Sequence, residues 1–309
     1  MHNLKYMLKS LTIFRISDIP AAFLADACWT LLPVFTPCGP TQPASIGWVP
    51  PRGPHESDLV ETVGGQIILR ACIETKNVPA ATLDKAVDAM AAKIERDSGR
   101  KPGKKHRREL KDEARLELLP HAFPRQKQVL VWIDPDSNRL VVGSASTSTV
   151  DAVVTLLVQS LEGLKVRLIN TTDAPVAIMT GWLQDGEPDF DEFTLGRACE
   201  LKAADELKSV VRYSRAPLDT EEVKTYVRQG MRAQSLEVTH RGRVAFTLTT
   251  GMQLRGIEFL DVVMEGRDGD VADSFGADVA LATGELRQVI DDVVAAMGGE
   301  VVVTEGGGE

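Results

Sequence analysis

Between Pro79 and Pro120 the apolar residues of this chain change period, and that change constrains the fold more than any other feature. Leu83, Val87, Met90 and Ile94 recur at helical spacing and place one apolar stripe on a helix. Ser98-Gly-Arg-Lys-Pro-Gly103 interrupts the pattern. A second helix is expected from about Lys104 to Leu119, with Leu110, Ala114 and Leu118 on a narrower stripe, until Pro120 stops it. Two helices across a short Gly/Pro turn form a helical hairpin. The flanking sequence has strand character, so 79–120 reads as a projection inserted into a β-rich body.

That body is legible in pieces. Leu8–Ile16 is rich in β-formers, and Ser17 or Asp18 can cap a helix running through Phe23, Leu24 and Trp29. Phe35-Thr-Pro-Cys-Gly39 and Gly47-Trp-Val-Pro-Pro51 carry more proline than a helix or a central strand tolerates. Gln66–Ile73 is strand-like. Gln128–Ile133 and Leu140–Ala145 flank the turn Asp134-Pro-Asp-Ser-Asn138 and predict a β-hairpin. Thr149 can cap a helix through Leu161, and Val166–Ile169 is a further strand. In the second half, Asp219 or Thr220 caps a helix that Gly230 ends. Ser235–His240 and Arg243–Thr249 meet at Arg241-Gly242, Gly256–Leu260 adds a strand, and Glu285–Met297 is an amphipathic helix. Helices and strands do not alternate regularly, so the expected class is α+β rather than a βαβ array.

The 309 residues carry a formal charge of −9, which argues against a uniformly basic nucleic-acid coat. The longest apolar runs, such as Val150–Val158, are far shorter than the ~20 residues of a membrane span, and no signal peptide is evident. A soluble, cytoplasmic chain without a membrane partner is expected. Cys28, Cys38, Cys72 and Cys199 are widely spaced and make no C-x-x-C pair, which predicts reduced thiols and no thiolate zinc site.

No nucleotide-binding glycine motif, nucleophile elbow or H-E-x-x-H is present. Asp134-x-Asp136-x-Asn138 starts like a calcium loop, but Arg139 replaces its glycine and Ala145 its bidentate glutamate. The expectation is no enzyme, no cofactor and no metal. One alternative is a metal-dependent nuclease using the acids of 256–309, where thirteen carboxylates face two arginines. The other is a scaffold contacting a partner protein through that acidic face.

The positive signal is the hairpin itself. Residues 93–127 hold twelve Lys/Arg against six acids. Arg100, Lys101, Lys104, Lys105, Arg107 and Arg108 fall within nine residues at the turn, a density that suits sequence-independent phosphate contact. Beside it, Leu118-Leu-Pro-His-Ala-Phe-Pro-Arg125 sets Phe123 next to Arg125 at the foot of the hairpin, a place for core or partner contact; stacking on a base is the lesser reading, since nearby aromatics are lacking.

Phe35-Thr-Pro-Cys-Gly39, Gly47-Trp-Val-Pro-Pro51, Gly65-Gln-Ile67, Leu118-Leu-Pro120 with Ala122-Phe123 and Arg125, Trp132-Ile-Asp134, and Thr283-Gly-Glu-Leu286 through Gly298-Gly-Glu300 occur in an order that resembles the bacterial recombination-associated RdgC family. The resemblance runs from about Met7, so residues 1–6 read as an extension. It implies a nucleoid-associated, ring-forming homodimer that encircles double-stranded DNA, with single-stranded DNA left open. It further implies restraint of the RecA recombinase, which would be the partner of the acidic face in the scaffold reading, and a role at replication forks. By the same resemblance, residues 1–78 with 121–165 form a central α+β domain, 79–120 a helical tip and 166–309 a C-terminal α+β base. Phe123 takes the family's functional phenylalanine position near a dimer contact, and Arg125 its nearby arginine. An arginine usual before the Ala-Phe is His121 here, and a Lys-Gln pair becomes Arg215-Ala216, keeping the charge and losing the amide.

Overall fold

The computed structural model describes residues 8–17, 32–161, 163–204, 208–264 and 274–301. In chain order the elements are β1 (Ser10–Ser17), β2 (Ala44–Val49), β3 (Val60–Val63), β4 (Gln66–Lys76), α1 (Ala80–Ser98), α2 (Lys104–Leu118), β5 (Pro124–Asp134), β6 (Arg139–Val142), α3 (Thr147–Ser160), β7 (Lys165–Leu168), α4 (Pro175–Asp185), β8 (Phe193–Ala203), β9 (Val210–Tyr213), α5 (Glu221–Arg228), β10 (Met231–His240), β11 (Val244–Thr249), β12 (Leu254–Phe259), α6 (Asp261–Met264) and α7 (Ser274–Ala296). The class is α+β, as the sequence predicts.

One twelve-stranded antiparallel sheet runs β2-β4-β5-β6-β1-β12-β11-β10-β8-β9, with β3 beside β4 and β7 beside β1. β1 joins its two halves. Ser10 and Leu11 pair with Arg255 and Leu254 of β12, Thr12–Arg15 pair with β6, and Phe14–Ser17 pair with β7. Both faces of the first half are covered, which is why β4 and β5 carry near-continuous apolar runs instead of alternating. Ile67, Leu69, Val129, Val131 and Ile133 face α3, while Ile68, Leu130 and Trp132 face the larger core that contains α7. Inside that core the Trp132 indole N–H donates to the Gln66 side-chain oxygen at 2.7 Å, so its polar tip is satisfied. The second half packs α4, α5 and α7 onto one face through Met179, Leu183, Val223, Val227, Leu286 and Val293.

The helices α1 and α2 form the expected hairpin, with their own small cluster of Leu83, Val87, Ala91, Leu110 and Ala114. Gly99, at φ 69°, closes α1 in the left-handed conformation that favours glycine, its N–H donating to the Glu95 carbonyl at 2.8 Å. The β5–β6 and β10–β11 hairpins fall where the turn residues predict, and Arg241 and Gly242 both have positive φ, as a tight two-residue turn requires. Thr220 caps α5, its side-chain oxygen accepting from the Val223 N–H at 3.4 Å.

Several expectations need correction. α3 begins at Thr147 with Ser146 at its N-cap position, so Thr149 lies inside the first turn; its hydroxyl instead accepts from Lys127 Nζ at 3.1 Å. The proline-rich stretch before Pro50 does hold a strand, β2, at the end of the sheet path, where missing N–H donors are tolerated. It is crossed so closely by the chain at Phe35 that a side chain at Gly47 would collide with the Phe35 backbone. The sequence reading missed α4, β8 and β9, and α7 begins at Ser274 rather than Glu285. The helix expected through Phe23 and Trp29 and the tail from Thr304 lie outside the described residues.

The helix α7 is fastened to both halves by ion pairs. Arg287 reaches Asp134 at 2.6 Å and Asp136 at 3.1 Å, and Asp291 pairs with Arg139, all at the β5–β6 turn. Asp292 meets His240 and Arg241, each at 2.8 Å, and Glu285 pairs with Arg243, at the β10–β11 turn. Beyond the helix, Glu300 pairs with Arg15 of β1 and with Arg167 at 3.5 Å.

Asp134 is only 1 % exposed, and burial alone would raise its carboxyl pKa. The Ser137 hydroxyl, at 2.6 Å, and the Arg287 guanidinium outweigh burial and hold the pKa below the ordinary carboxylate value. Arg287→Ala should therefore cost about 2–3 kcal/mol. That is less than the ~3–5 of a fully buried pair, because Arg287 is partly screened by solvent. A depressed folded pKa contributes stability above the unfolded value near ~4, and that contribution is lost as pH falls through the folded pKa. The deficit of the variant, measured by urea unfolding, should be full at pH 7 and shrink below about pH 4. A deficit independent of pH would assign the loss to packing.

Candidate nucleic-acid interface

The turn and second helix of the hairpin bring the predicted cations together. Arg100, Lys101, Lys104, Lys105, Arg107 and Arg108 are all exposed. They are not equally free. Arg107 donates to Asp88 of α1 at 2.5 Å, and Lys101 lies 3.9 Å from Glu95. Arg107 thus helps to clip α2 to α1, as does Lys111, 3.4 Å from Asp84. The side chains of Arg100, Lys104, Lys105 and Arg108 enter no ion pair among the described residues. Lys104, Arg108, Lys111 and Arg115 follow one another at i, i+4, i+7 and i+11, so they make a single row along the helix, beside the stripe of buried Leu110 and Ala114. Lys111 and Arg115 belong to the basic stretch of the sequence but lie outside the cluster at the turn. Their helical spacing is the signal that could have found them.

The placement of these charges opposes local helix physics. The first turn of α2 contains no acid, Gly103 is its N-cap, and no side chain caps it. Lys104 and Lys105 therefore sit where the helix dipole is positive, a location that favours anions. Cations there raise the energy of the isolated helix and strengthen the attraction of its end for phosphate.

Phe123 follows the 3-10 turn Leu119–His121 and is 89 % exposed. That exposure rules out the core reading and leaves partner contact and base stacking. Leu116, 57 % exposed on α2, is a second large apolar side chain left in solvent near the foot of the hairpin. Arg125, exposed and opposite Thr75, is the second residue of β5, with Lys127 two residues on along the same face. Arg215 lies in the β9–α5 connection, exposed and with φ 57°. It belongs to the second half of the sheet, and no contact joins it to the hairpin among the described residues.

The acids of the C-terminal segment do not converge. Glu285, Asp291, Asp292 and Glu300 each pair with an arginine, and among the described residues no group of three or more His, Cys, Asp or Glu side chains could hold a metal ion. These four described acids tie α7 and the segment that follows it to the sheet, and so serve the fold. Cys38, Cys72 and Cys199 are free thiols, and Cys28 lies outside the described residues.

Comparison with known proteins decides the family. Residues 6–300 match the family described as "Putative exonuclease, RdgC". The chain belongs to the RdgC family. It is 39 % identical over 258 residues to the recombination-associated protein RdgC of Cupriavidus pinatubonensis, covering 82 % of this chain and 85 % of that protein. Over 297 residues it is 36 % identical to the RdgC protein of Cupriavidus necator and 32 % identical to that of Bordetella pertussis, in both cases covering 94 % of this chain and 98 % of the relative. An RdgC-family chain is a recombination-associated protein, and the basic hairpin is its strongest surface feature. No helix among the described residues is long and apolar enough to cross a membrane.

Reversing the first-turn charges, Lys104→Glu with Lys105→Glu, should not weaken the fold. It should stabilise α2 by roughly 0.3–1 kcal/mol per residue, because acids complement the helix N-terminus. Phe123→Ala should change subunit stability by less than ~0.5 kcal/mol, as expected for an exposed position. Thermal unfolding of the two variants checks both values. A marked loss in either would mean that the hairpin packs on surface not accounted for here.

Proposed function

We propose that this RdgC-family chain binds double-stranded DNA without sequence preference, as a homodimer whose two copies close a ring around the duplex. The observation that carries this reading is the group of cations at the N-terminus of α2, Lys104, Lys105 and Arg108, which enter no ion pair among the described residues. It forgoes local stability to present positive charge, an arrangement that serves a phosphate backbone. Arg100, Lys101, Lys104, Lys105, Arg107, Arg108, Arg125 and Arg215 supply the contacts. Phe123 supplies an apolar anchor where the second copy closes on the first, and an isologous contact presents it twice. The hairpin 79–120 acts as the tip, residues 1–78 with 121–165 as the centre, and 166–309 as the base. By occupying DNA, the nucleoid-bound ring restrains RecA and acts in recombination and replication-fork repair. It needs no cofactor and turns nothing over.

A second reading is favoured by the family description, which names an exonuclease. A nuclease of the metal-dependent kind needs carboxylates gathered on one ion. The acids nearest to such a role are spent on arginines. Incubating end-labelled duplex with magnesium or manganese separates the readings, because degradation that scales with protein would establish the enzyme.

Binding should weaken along a straight line of log K against log salt, with a slope of about −0.9 for each phosphate neutralised. Unrelated duplexes of equal length should compete within less than the ~1–3 kcal/mol of one good base contact. The Lys104→Glu, Lys105→Glu variant should bind more weakly and with a shallower slope, although its helix is no less stable. Phe123→Ala should stay folded, sediment with a weakened dimer contact and hold DNA less well. Salt-independent affinity, or strong preference for one duplex, would overturn the reading.

A further inference from the structure

The second half of the sheet carries a feature that the basic hairpin does not explain. Along β10, Leu236 pairs with Cys199 of β8 and Val238 with Leu195, so the single residue Glu237 faces three residues, Gly196, Arg197 and Ala198. This is a bulge, a device that re-aims side chains. The Glu237 side chain lies over Gly196, where any Cβ would collide with it, and its carboxylate accepts from the Arg197 backbone N–H at 2.7 Å. The acid nearest to Arg197 is thereby spent on the backbone. The Arg197 side chain is exposed and enters no ion pair among the described residues.

The Arg197 carbonyl, in turn, accepts from the Ala216 N–H at 3.0 Å. That bond ties the β9–α5 connection to the bulge and sets Arg215, at φ 57°, next to it. A non-glycine residue in this conformation is strained, and the tie is what holds it there. Arg215 too is exposed and unpaired among the described residues. By contrast Arg212, on the neighbouring strand, is neutralised by Glu200 at 2.6 Å. Two arginines are therefore fixed on adjoining backbone by a bulge and a strained residue, and neither side chain has an ion-pair partner among the described residues. Like charges held together without a counterion favour an anion that both can reach, and guanidinium forks match phosphate oxygens.

We infer that Arg197 and Arg215 form a two-arginine clamp for one phosphodiester of the bound DNA, a second phosphate site separate from the hairpin. The inference rests on the proposed DNA-binding function and adds Arg197 to it. Ala216 contributes its backbone N–H to the clamp's architecture, so the clamp does not depend on a side-chain amide at that position.

The test uses the full chain and duplex binding across a salt series. Arg197→Ala should weaken binding about 5–10-fold and make the salt slope shallower by about one, whatever the duplex sequence. Arg215→Ala should do the same, and the double variant should lose less than the product of the two, because they share one phosphate. Arg197→Lys keeps the charge and should recover part of the affinity; it also serves if Arg197→Ala unfolds. Inorganic phosphate, compared with chloride at equal ionic strength, separates the two sources of the group. Phosphate binding without DNA that Arg197→Ala abolishes would assign the clamp to free phosphate and overturn the inference. If Arg197→Ala and Arg197→Lys both bind duplex like the parent while the Lys104→Glu, Lys105→Glu variant is weakened, the clamp is wrong and the proposed function stands. If the parent binds no duplex, both fall.

Discussion

A carboxylate almost wholly removed from water at Asp134, and the arginine that reaches it from α7, are the contact on which the rest of the molecule turns. A charge so placed is tolerable only when opposed, and opposing it requires α7 to cross the β5–β6 turn. The helix continues to the β10–β11 turn, where Glu285 and Asp292 meet Arg243, His240 and Arg241. Between those ends its apolar face fills the core shared by both halves of the sheet. β1 joins the halves through the backbone, and α7 with Glu300 joins them through side chains. Apolar burial supplies most of the cohesion, but it has no direction. The ion pairs fix which turn lies over which part of the helix.

Much of this was legible in the sequence, and the failures have physical causes. The hairpin α1–α2 is local and strongly periodic, so its pattern survives without tertiary help. The turns Asp134–Asn138 and Arg241-Gly242 were legible for the same reason, since their chemistry lies within a few residues. The edges of the second half were not. β8 is broken in register by its bulge, so Arg197 and Cys199 do not alternate as a strand template expects. The helix α4 begins at Pro175 and is apolar almost all round, which hides its face. The charge pattern of the C-terminal segment was visible, but its meaning was not. Partners such as Arg139 and Arg243 lie far away in sequence, and only the fold reveals that the acids are taken.

The candidate site shows the same division. Clustering along the chain identified Arg100 to Arg108, but not that Arg107 serves the hairpin more than the solvent. Helical spacing adds Lys111 and Arg115 to the row. Arg197 could not be found from the sequence, because nothing local distinguishes it from Arg212. What separates them is that Glu200 neutralises one while Glu237 is turned to the backbone beside the other.

This sorting explains how a chain with formal charge −9 can present a locally positive surface at the hairpin. Nine of the fifteen described arginines outside the hairpin form ion pairs, five of them with acids of α7 or with Glu300, and each such pair is nearly silent beyond a few ångströms. At physiological salt the screening length is about 8 Å, so the net charge of the whole molecule scarcely reaches a partner at the hairpin. What a polyanion meets there is the local row, set on a helix end whose own dipole is positive. A fold that neutralised charge uniformly would have placed acids in that first turn. The first turn of α2 goes further than that of the other long helices, because it not only lacks acids but holds Lys104 and Lys105 against the preference of the helix end, and this is what gives the proposed DNA contact its physical basis.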